Sequence, residues 1–302
     1  MYPVLLSLGD QIDQTFILII GASLAILLGL ILITLFFLYK YHHSRNPQAE
    51  FIEGNLPLEI AWIIIPVLLV IPMFYFGWSG FKASRTVPAD AFPVTAIAKQ
   101  WAWRFVYPNG KVHDELLVPQ GKSIKVSIVS EDVLHSFYVP AFRIKRDAVP
   151  GMENFTWFRQ DKLGMFTLYC AEYCGLKHAE MITQIVVLPA PEFENWYSKP
   201  DEQASVPERG KKILRMQGCL SCHSLDGAEL SGPTFKGLFG RETVVIKDGR
   251  EVTIREDVAH MKSSILAPQS DIVKGFPAIM PVTKELSDED IDAMIEFIKA
   301  LP

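Results

Sequence analysis

Two stretches of the chain have no natural place inside a water-soluble domain. Phe16 to Tyr39 is apolar and broken only by small or hydroxyl-bearing residues. As a helix it would reach about 36 Å, enough to cross a bilayer with some tilt. Ile60 to Trp78 is a second run, interrupted by Pro66 and Pro72. A membrane helix tolerates such prolines when neighbouring groups satisfy the freed carbonyls. Buried core helices are the soluble alternative, but the runs are too long and too free of charge for it. A cleaved signal fits no better, because no basic residue precedes the first run and that run exceeds a signal's apolar region. The expectation is a transmembrane hairpin over residues 1–92, with helices at about 16–39 and 60–80. The loop between them carries Lys40, His42, His43 and Arg45, whereas no Lys or Arg precedes Phe16. That bias puts the loop in the cytoplasm and both termini outside. Lys82 and Arg85, after the second span, pull the other way.

The chemistry is concentrated further on. Cys170-Ala-Glu-Tyr-Cys174-Gly-Leu-Lys-His178-Ala-Glu-Met181 packs thiols, an imidazole and a thioether into one loop. That mixture favours copper over magnesium or calcium. A blue-copper site uses a single Cys. Two thiolates can instead bridge two copper ions and let them share one electron. A second imidazole is then needed from outside the loop, and His135, in Glu131-Asp-Val-Leu-His135-Ser-Phe, is the candidate. The alternatives are a structural zinc site of His135, Cys170, Cys174 and His178, which leaves Met181 idle, and a Cys170–Cys174 disulfide, which leaves the His and Met unexplained.

The chain has four cysteines. The pair outside the copper loop forms Cys219-Leu-Ser-Cys222-His223, the C-x-x-C-H pattern of covalent haem attachment, with the imidazole as first axial ligand. A redox dithiol or half a zinc site are the competing readings of C-x-x-C. No cysteine remains for a structural disulfide. Of the methionines nearby, Met216 is too close to Cys219 to wrap around a haem, and Met261 and Met294 lie in helical, core-facing patterns. Met280 stands in Phe276-Pro-Ala-Ile-Met280-Pro281, where prolines hold an extended loop. It is the candidate sixth ligand.

Residues 93–190 read as short strands, including Val94–Tyr107, Ile124–Val129, Asn154–Phe158, Met165–Tyr169 and Ile182–Leu188, with a turn at Pro108-Asn-Gly110. Many short strands between turns suggest a β-sandwich. Residues 191–205 fall in a stretch of linker composition. In 206–302, Glu208–Gln217 reads as a helix, with Gly210 allowing another helix close. Ser287-Asp-Glu-Asp290 starts a second, striped by Ile291, Met294, Ile295 and Ile298. Val244–Thr253 looks like a hairpin about Asp248-Gly249.

The loop pattern C-x-E-x-C-G-x-x-H-x-x-M, with Asp-Val-Leu-His-Ser-Phe upstream, resembles subunit II of the haem-copper cytochrome c oxidases over about residues 12–197. The fused haem module makes the resemblance one to the caa3-type enzymes. It implies a cupredoxin-like Greek-key sandwich and, at the C-terminus, an all-α class I cytochrome c. His135, Cys170, Cys174, His178 and Met181 would hold the dicopper centre CuA, completed by the Glu172 carbonyl. The Glu172 carboxylate would face a magnesium ion shared with subunit I, near Lys145 and Asp147. Trp101, first in Trp101-Ala-Trp103, would be the exposed residue through which electrons reach the copper. Ala102 stands where the family usually has Tyr, and Met152 where an Arg is common. Cys219, Cys222, His223 and Met280 would hold haem c, with the Pro233 carbonyl orienting His223. Glu59 would stand at the mouth of a proton path into subunit I, although an acid there also reads as a charge reaching for the membrane surface.

The resemblance implies that electrons run from a cytochrome c or a quinol–cytochrome c reductase-type complex to haem c, then to CuA, then to haem a in subunit I. Oxygen reduction at haem a3 and CuB, with proton pumping, belongs to subunit I, and subunit III is a further expected partner. The expected location is the bacterial inner membrane, multi-pass, with both soluble domains on the outer side. A net charge of -5 gives no support to nucleic-acid binding. Two other readings are the CuA-containing input subunit of a nitric-oxide reductase and a membrane-tethered relay with no oxidase partner.

Overall fold

The computed structural model describes residues 8–48, 51, 53–199, 205–283 and 286–302. They form two compact units, Met1–Asp90 with Trp157–Arg159, and Ala91–Thr156 with Gln160–Pro302.

The first unit is built on two helices, α1 (Leu8–Lys40) and α2 (Leu56–Arg85), which pack on each other. At 33 and 30 residues they outlast the apolar runs at both ends. The extra turns are polar or capped. Asn55 accepts the Leu58 N–H at 3.2 Å, and Pro57 sits in the first turn, where its missing N–H costs nothing. Lys40, Lys82 and Arg85 lie in the last turns, where cations suit the helix dipole. The large apolar residues of both spans are exposed, as lipid-facing helices require.

Next along the chain is a β-sandwich. Its strands are β1 (Phe92–Lys99), β2 (Ala102–Val106), β3 (Val112–His113), β4 (Leu116–Pro119), β5 (Ser123–Ser130), β6 (His135–Val139), β7 (Ile144–Ala148), β8 (Asn154–Arg159), β9 (Gly164–Cys170) and β10 (Ile182–Leu188). One sheet runs β3-β2-β1-β5-β8 and the other β4-β10-β9-β6-β7. Alternate residues turn inward, as a strand's two-residue period demands. Val94, Ala96 and Ala98 face Phe137, Leu168 and Ile185 in the core, with Trp103 and Phe105 filling the space between.

The expected linker is shorter than its composition suggested. Ala190–Ser198 is a helix, α3. Phe193, Trp196 and Tyr197 fall on one helical face. Phe193 is buried and meets Phe92 edge-on at 5.6 Å, while Trp196 meets Tyr107 at 4.9 Å. The aromatic stripe docks the segment on the sandwich despite its prolines and acids.

The C-terminal module holds α4 (Val206–Met216), β11 (Glu242–Lys247), β12 (Arg250–Arg255), α5 (Val258–Leu266), β13 (Ile272–Val273) and α6 (Asp288–Lys299). Gly210 lets α4 cross α6 closely, since a Cβ there would lie 2.0 Å from the Ala293 carbonyl oxygen. Ile213, Leu214, Met261, Ile265, Ile291 and Met294 form the core. Alongside the helices, β12-β11-β13 make a small sheet.

Candidate metal centres

The ligand loop is clamped at both ends by the second sheet. Cys170 ends β9 and pairs with Phe137 of β6, the strand that His135 begins. Ile182 opens β10 and pairs with Tyr169 of β9. A short 3-10 turn over His178–Glu180 brings the loop back. The donors converge. Cys170 Sγ lies 3.7 Å from Cys174 Sγ, 3.8 Å from His135 Nδ1 and 3.2 Å from the Glu172 carbonyl oxygen. Cys174 Sγ lies 3.5 Å from His178 Nδ1 and 3.9 Å from Met181 Sδ. All four cysteines are free, so no disulfide joins Cys170 to Cys174. His135, Cys170 and Cys174 offer ligand atoms that all lie within 4.8 Å of one another.

Neighbouring polar groups set the charge state of these donors. His135 is fully buried, and its Nε2 faces Asp132 Oδ1 at 2.8 Å, leaving Nδ1 for the cluster. Burial pushes the His135 pKa down, but the Asp132 carboxylate and the Cys170 sulfur outweigh it and hold the value above the usual range. Burial of Asp132 acts upward, yet His135 and the Gln100 and Val133 N–H groups keep its carboxyl below the usual range. Burial raises both thiols. At Cys170, bonding from His135 and backbone N–H groups reverses this and brings the thiol down to about 7. At Cys174 burial and the Cys170 charge push it up to about 12. A cation between the sulfurs would relieve that repulsion.

Trp101 departs from expectation. It is only 8% exposed. Its indole N–H donates to the Cys174 carbonyl at 3.1 Å, beside the Gln100 amide at 2.8 Å. The other side is covered by the C-terminal module. Gly218, at φ 76°, presses so close that a Cβ there would lie 2.9 Å from Trp101 N. Lys99 donates to Gln217 at 3.1 Å across the same seam. Ala102 leaves room there, its Cβ 3.5 Å from the same Gly218 position.

Beyond Gly218 lies an apolar crevice lined by Cys219, Cys222, His223 and Met280, with Gln100 and Trp101 at one edge. His223 Nδ1 donates to the Pro233 carbonyl at 2.7 Å, which fixes Nε2 as the free nitrogen. Phe235 stacks on the ring at 4.5 Å, and a Cβ at Gly232 would strike it at 2.8 Å. Burial holds His223 below the usual imidazole pKa, against the pull of the Pro233 carbonyl, so the ring is a neutral ligand. Burial pushes the Cys219 thiol up to about 11, the opposite of the low value a redox dithiol needs. Met261 and Met294 are core residues. Two thiols, a neutral imidazole and a thioether around an apolar slot fit a covalently held haem.

Two further expected sites lie apart. Glu59 stands half-buried in the first turn of α2, its N–H bonded to the Asn55 carbonyl at 2.9 Å. The Glu172 carboxylate accepts from Lys145 Nζ at 2.8 Å, and the same ammonium reaches Asp147 at 2.7 Å. Those carboxylates hold the Lys145 pKa above, and the ammonium holds Asp147 below, their usual values. The sequence reading assigned no role to Asp132, Gln100 or Gly218. Only Asp132 left a signal, an acid three residues before a candidate ligand.

Three family descriptions match in succession: cytochrome c oxidase subunit II, transmembrane domain, over residues 8–77; its periplasmic domain over 109–188; and cytochrome c over 207–302. Cytochrome c oxidase subunit 2 of Alkalihalophilus pseudofirmus is 27% identical over 293 residues, covering 91% of this chain and 83% of the relative. The Bacillus subtilis protein of the same name is 26% identical and covers 97% and 90%. That of Thermostichus vulcanus is 30% identical and covers 57% and 69%. The chain belongs to the cytochrome c oxidase subunit II family. It is a member with a fused cytochrome c domain, a membrane protein with an extracytoplasmic part, and an electron-transfer subunit of an oxidase. Subunit II membership brings copper to the sandwich, and the fused domain brings haem c.

Proposed function

We propose that this subunit takes electrons in at its own haem c and passes them through Trp101 to a dicopper centre, for delivery to haem a in subunit I. The observation that carries the reading is the position of Trp101. Its indole bonds to the carbonyl of Cys174, and its backbone touches Gly218, the neighbour of Cys219. One residue thus adjoins both sites. Its burial under the C-terminal module also denies a soluble donor direct access, so the donor, a cytochrome c or a quinol–cytochrome c reductase-type complex, delivers to the haem crevice.

Cys170, Cys174, His135, His178, Met181 and the Glu172 carbonyl would hold the copper, with the two thiolates as its principal donors. This donor set exceeds what a tetrahedral zinc takes up. Bound copper would supply one-electron chemistry with the charge change spread over two ions. Cys219 and Cys222 would anchor the haem, and His223 and Met280 would supply the nitrogen and sulfur donors to its iron. Glu172 contributes its carboxylate to magnesium at the border with subunit I once Lys145 releases it. Oxygen reduction, which haem a3 and CuB would supply, belongs to the partner subunit I, and subunit III would complete the complex. The location is the bacterial inner membrane, with both soluble domains on its outer face.

Metal analysis and electron paramagnetic resonance of the purified complex test the dicopper assignment. Copper with an unpaired electron shared by two nuclei is expected, and zinc in its place refutes it. Glu59 serves as a proton-path acid at the cytoplasmic face. Glu59→Gln should slow oxygen consumption in the assembled oxidase while haem c still reduces the copper; unchanged turnover would leave Glu59 a surface charge.

A further inference from the structure

The haem crevice has a polar corner that the electron path does not use. Asp257 caps α5 by accepting the His260 N–H at 2.8 Å, which fixes His260 in the first turn. The His260 Nδ1 lies 2.7 Å from Oε2 of Glu256, which is 4% exposed. The Glu256 backbone is held as well, bonded to the Arg241 carbonyl and the Gly240 N–H. On the far side of the ring, Nε2 is buried without a hydrogen-bond partner and stands 3.7 Å from Asp271 Oδ2. Asp271 Oδ1 is likewise buried and unbonded, with Lys247 Nζ of β11 at 3.4 Å. Glu256, His260 and Asp271 line the same crevice as His223 and Met280. The charges on the packed elements around them form their own pairs. Lys262 of α5 meets Asp288 of α6 at 2.8 Å, with Asp292 next to it, and Lys274 meets Glu251 at 2.9 Å.

With His260 neutral, the two covered carboxylates have Lys247 beside Asp271, and Arg241 and Arg255 lie on the segments that flank Glu256. A protonated His260 gives the cluster a further cation, and an uncompensated buried charge is costly. The crevice charge also changes by one unit each time a bound haem iron gains or loses an electron. We infer that Glu256, His260 and Asp271 form a redox-linked proton site: the imidazole takes one proton from solvent as the donor's electron arrives on the haem, and returns it as that electron leaves for the copper. One electron and one proton enter, and the same two leave. This rests on the haem c reading. The sign follows from charge. Reduction removes a positive charge from the crevice, so the protonated ring belongs to the reduced state, and raising the pH lowers the haem potential.

The test is a spectroelectrochemical titration of haem c in the full, metal-loaded chain over a range of pH. In the wild type the midpoint falls with pH, approaching about 59 mV per unit, the one-electron equivalent of a tenfold change. His260→Gln flattens the slope. A retained Met–iron absorbance band shows that the variant is folded. An unchanged slope in His260→Gln, or no slope in the wild type, overturns the inference. Should His260→Gln lose its haem, reduced-minus-oxidised infrared spectra of histidine-labelled wild type decide: an imidazole protonation band supports the site and its absence overturns it. Failure to find covalent haem in the wild type is a separate result and defeats the haem c reading first.

Discussion

The proposed copper donors, apart from His135, come from one loop running from Cys170 to Met181, and strand pairs close that loop at both ends. The proposed haem donors come from Cys219, Cys222 and His223 at one point of the chain and from Met280, beyond a hairpin and a helix, at another. In the sandwich, sulfur and nitrogen already lie within 4 Å of one another because the sheet leaves them no choice. In the haem module the donors line an apolar slot between separate segments, and the His223 ring is held by Pro233 and Phe235. One site is shaped by the backbone ladder, the other by packing between segments distant in the chain. Damage to the first should therefore be sharp and local, and damage to the second graded.

The largest expected effect is at the bridges. Cys170→Ser or Cys174→Ser should abolish the mixed-valence copper signal, because one thiolate cannot link the ions, while the haem c spectrum survives. A simultaneous loss of both spectra would break the comparison. Next is Met280→Ala. The thioether bonds should keep the haem in place, the Met–iron absorbance band should disappear, and the potential should fall. Met261→Ala should leave that band intact, since Met261 sits in the core; the reverse pattern would move the ligand. A smaller effect is expected at Asp132→Asn, which retains the shape but removes the charge behind His135. Copper affinity should drop roughly 10–100-fold, the usual consequence of losing a partner that orients a ligand. Competition with a copper chelator measures it, and unchanged affinity would mean that the sheet alone fixes His135.

These contrasts also explain how far the sequence could be read. The copper loop was legible because its donors are contiguous, and C-x-x-C-H because covalent attachment imposes its spacing. The two spans were legible from length alone, but their ends were not, since capped polar turns extend past the apolar runs. Helix α3 escaped notice because its prolines and acids resemble a linker, whereas the Phe193, Trp196 and Tyr197 face matters only once Phe92 and Tyr107 are beside it. The burial of Trp101 is the clearest case. It depends on Gly218, far along the chain, and no local pattern announces that contact. The Glu256–His260–Asp271 corner was hidden for the same reason, being assembled from a strand end, a helix start and a loop.

The central claim is that Trp101 carries electrons between the chain's own two centres. It is tested most directly by the rate of copper reduction after flash reduction of haem c, in the wild type and in Trp101→Leu, with both metal spectra confirmed unchanged. The account predicts that the rate falls by an order of magnitude in the variant and that adding soluble cytochrome c does not restore it. An unchanged rate, with both centres intact, would contradict it.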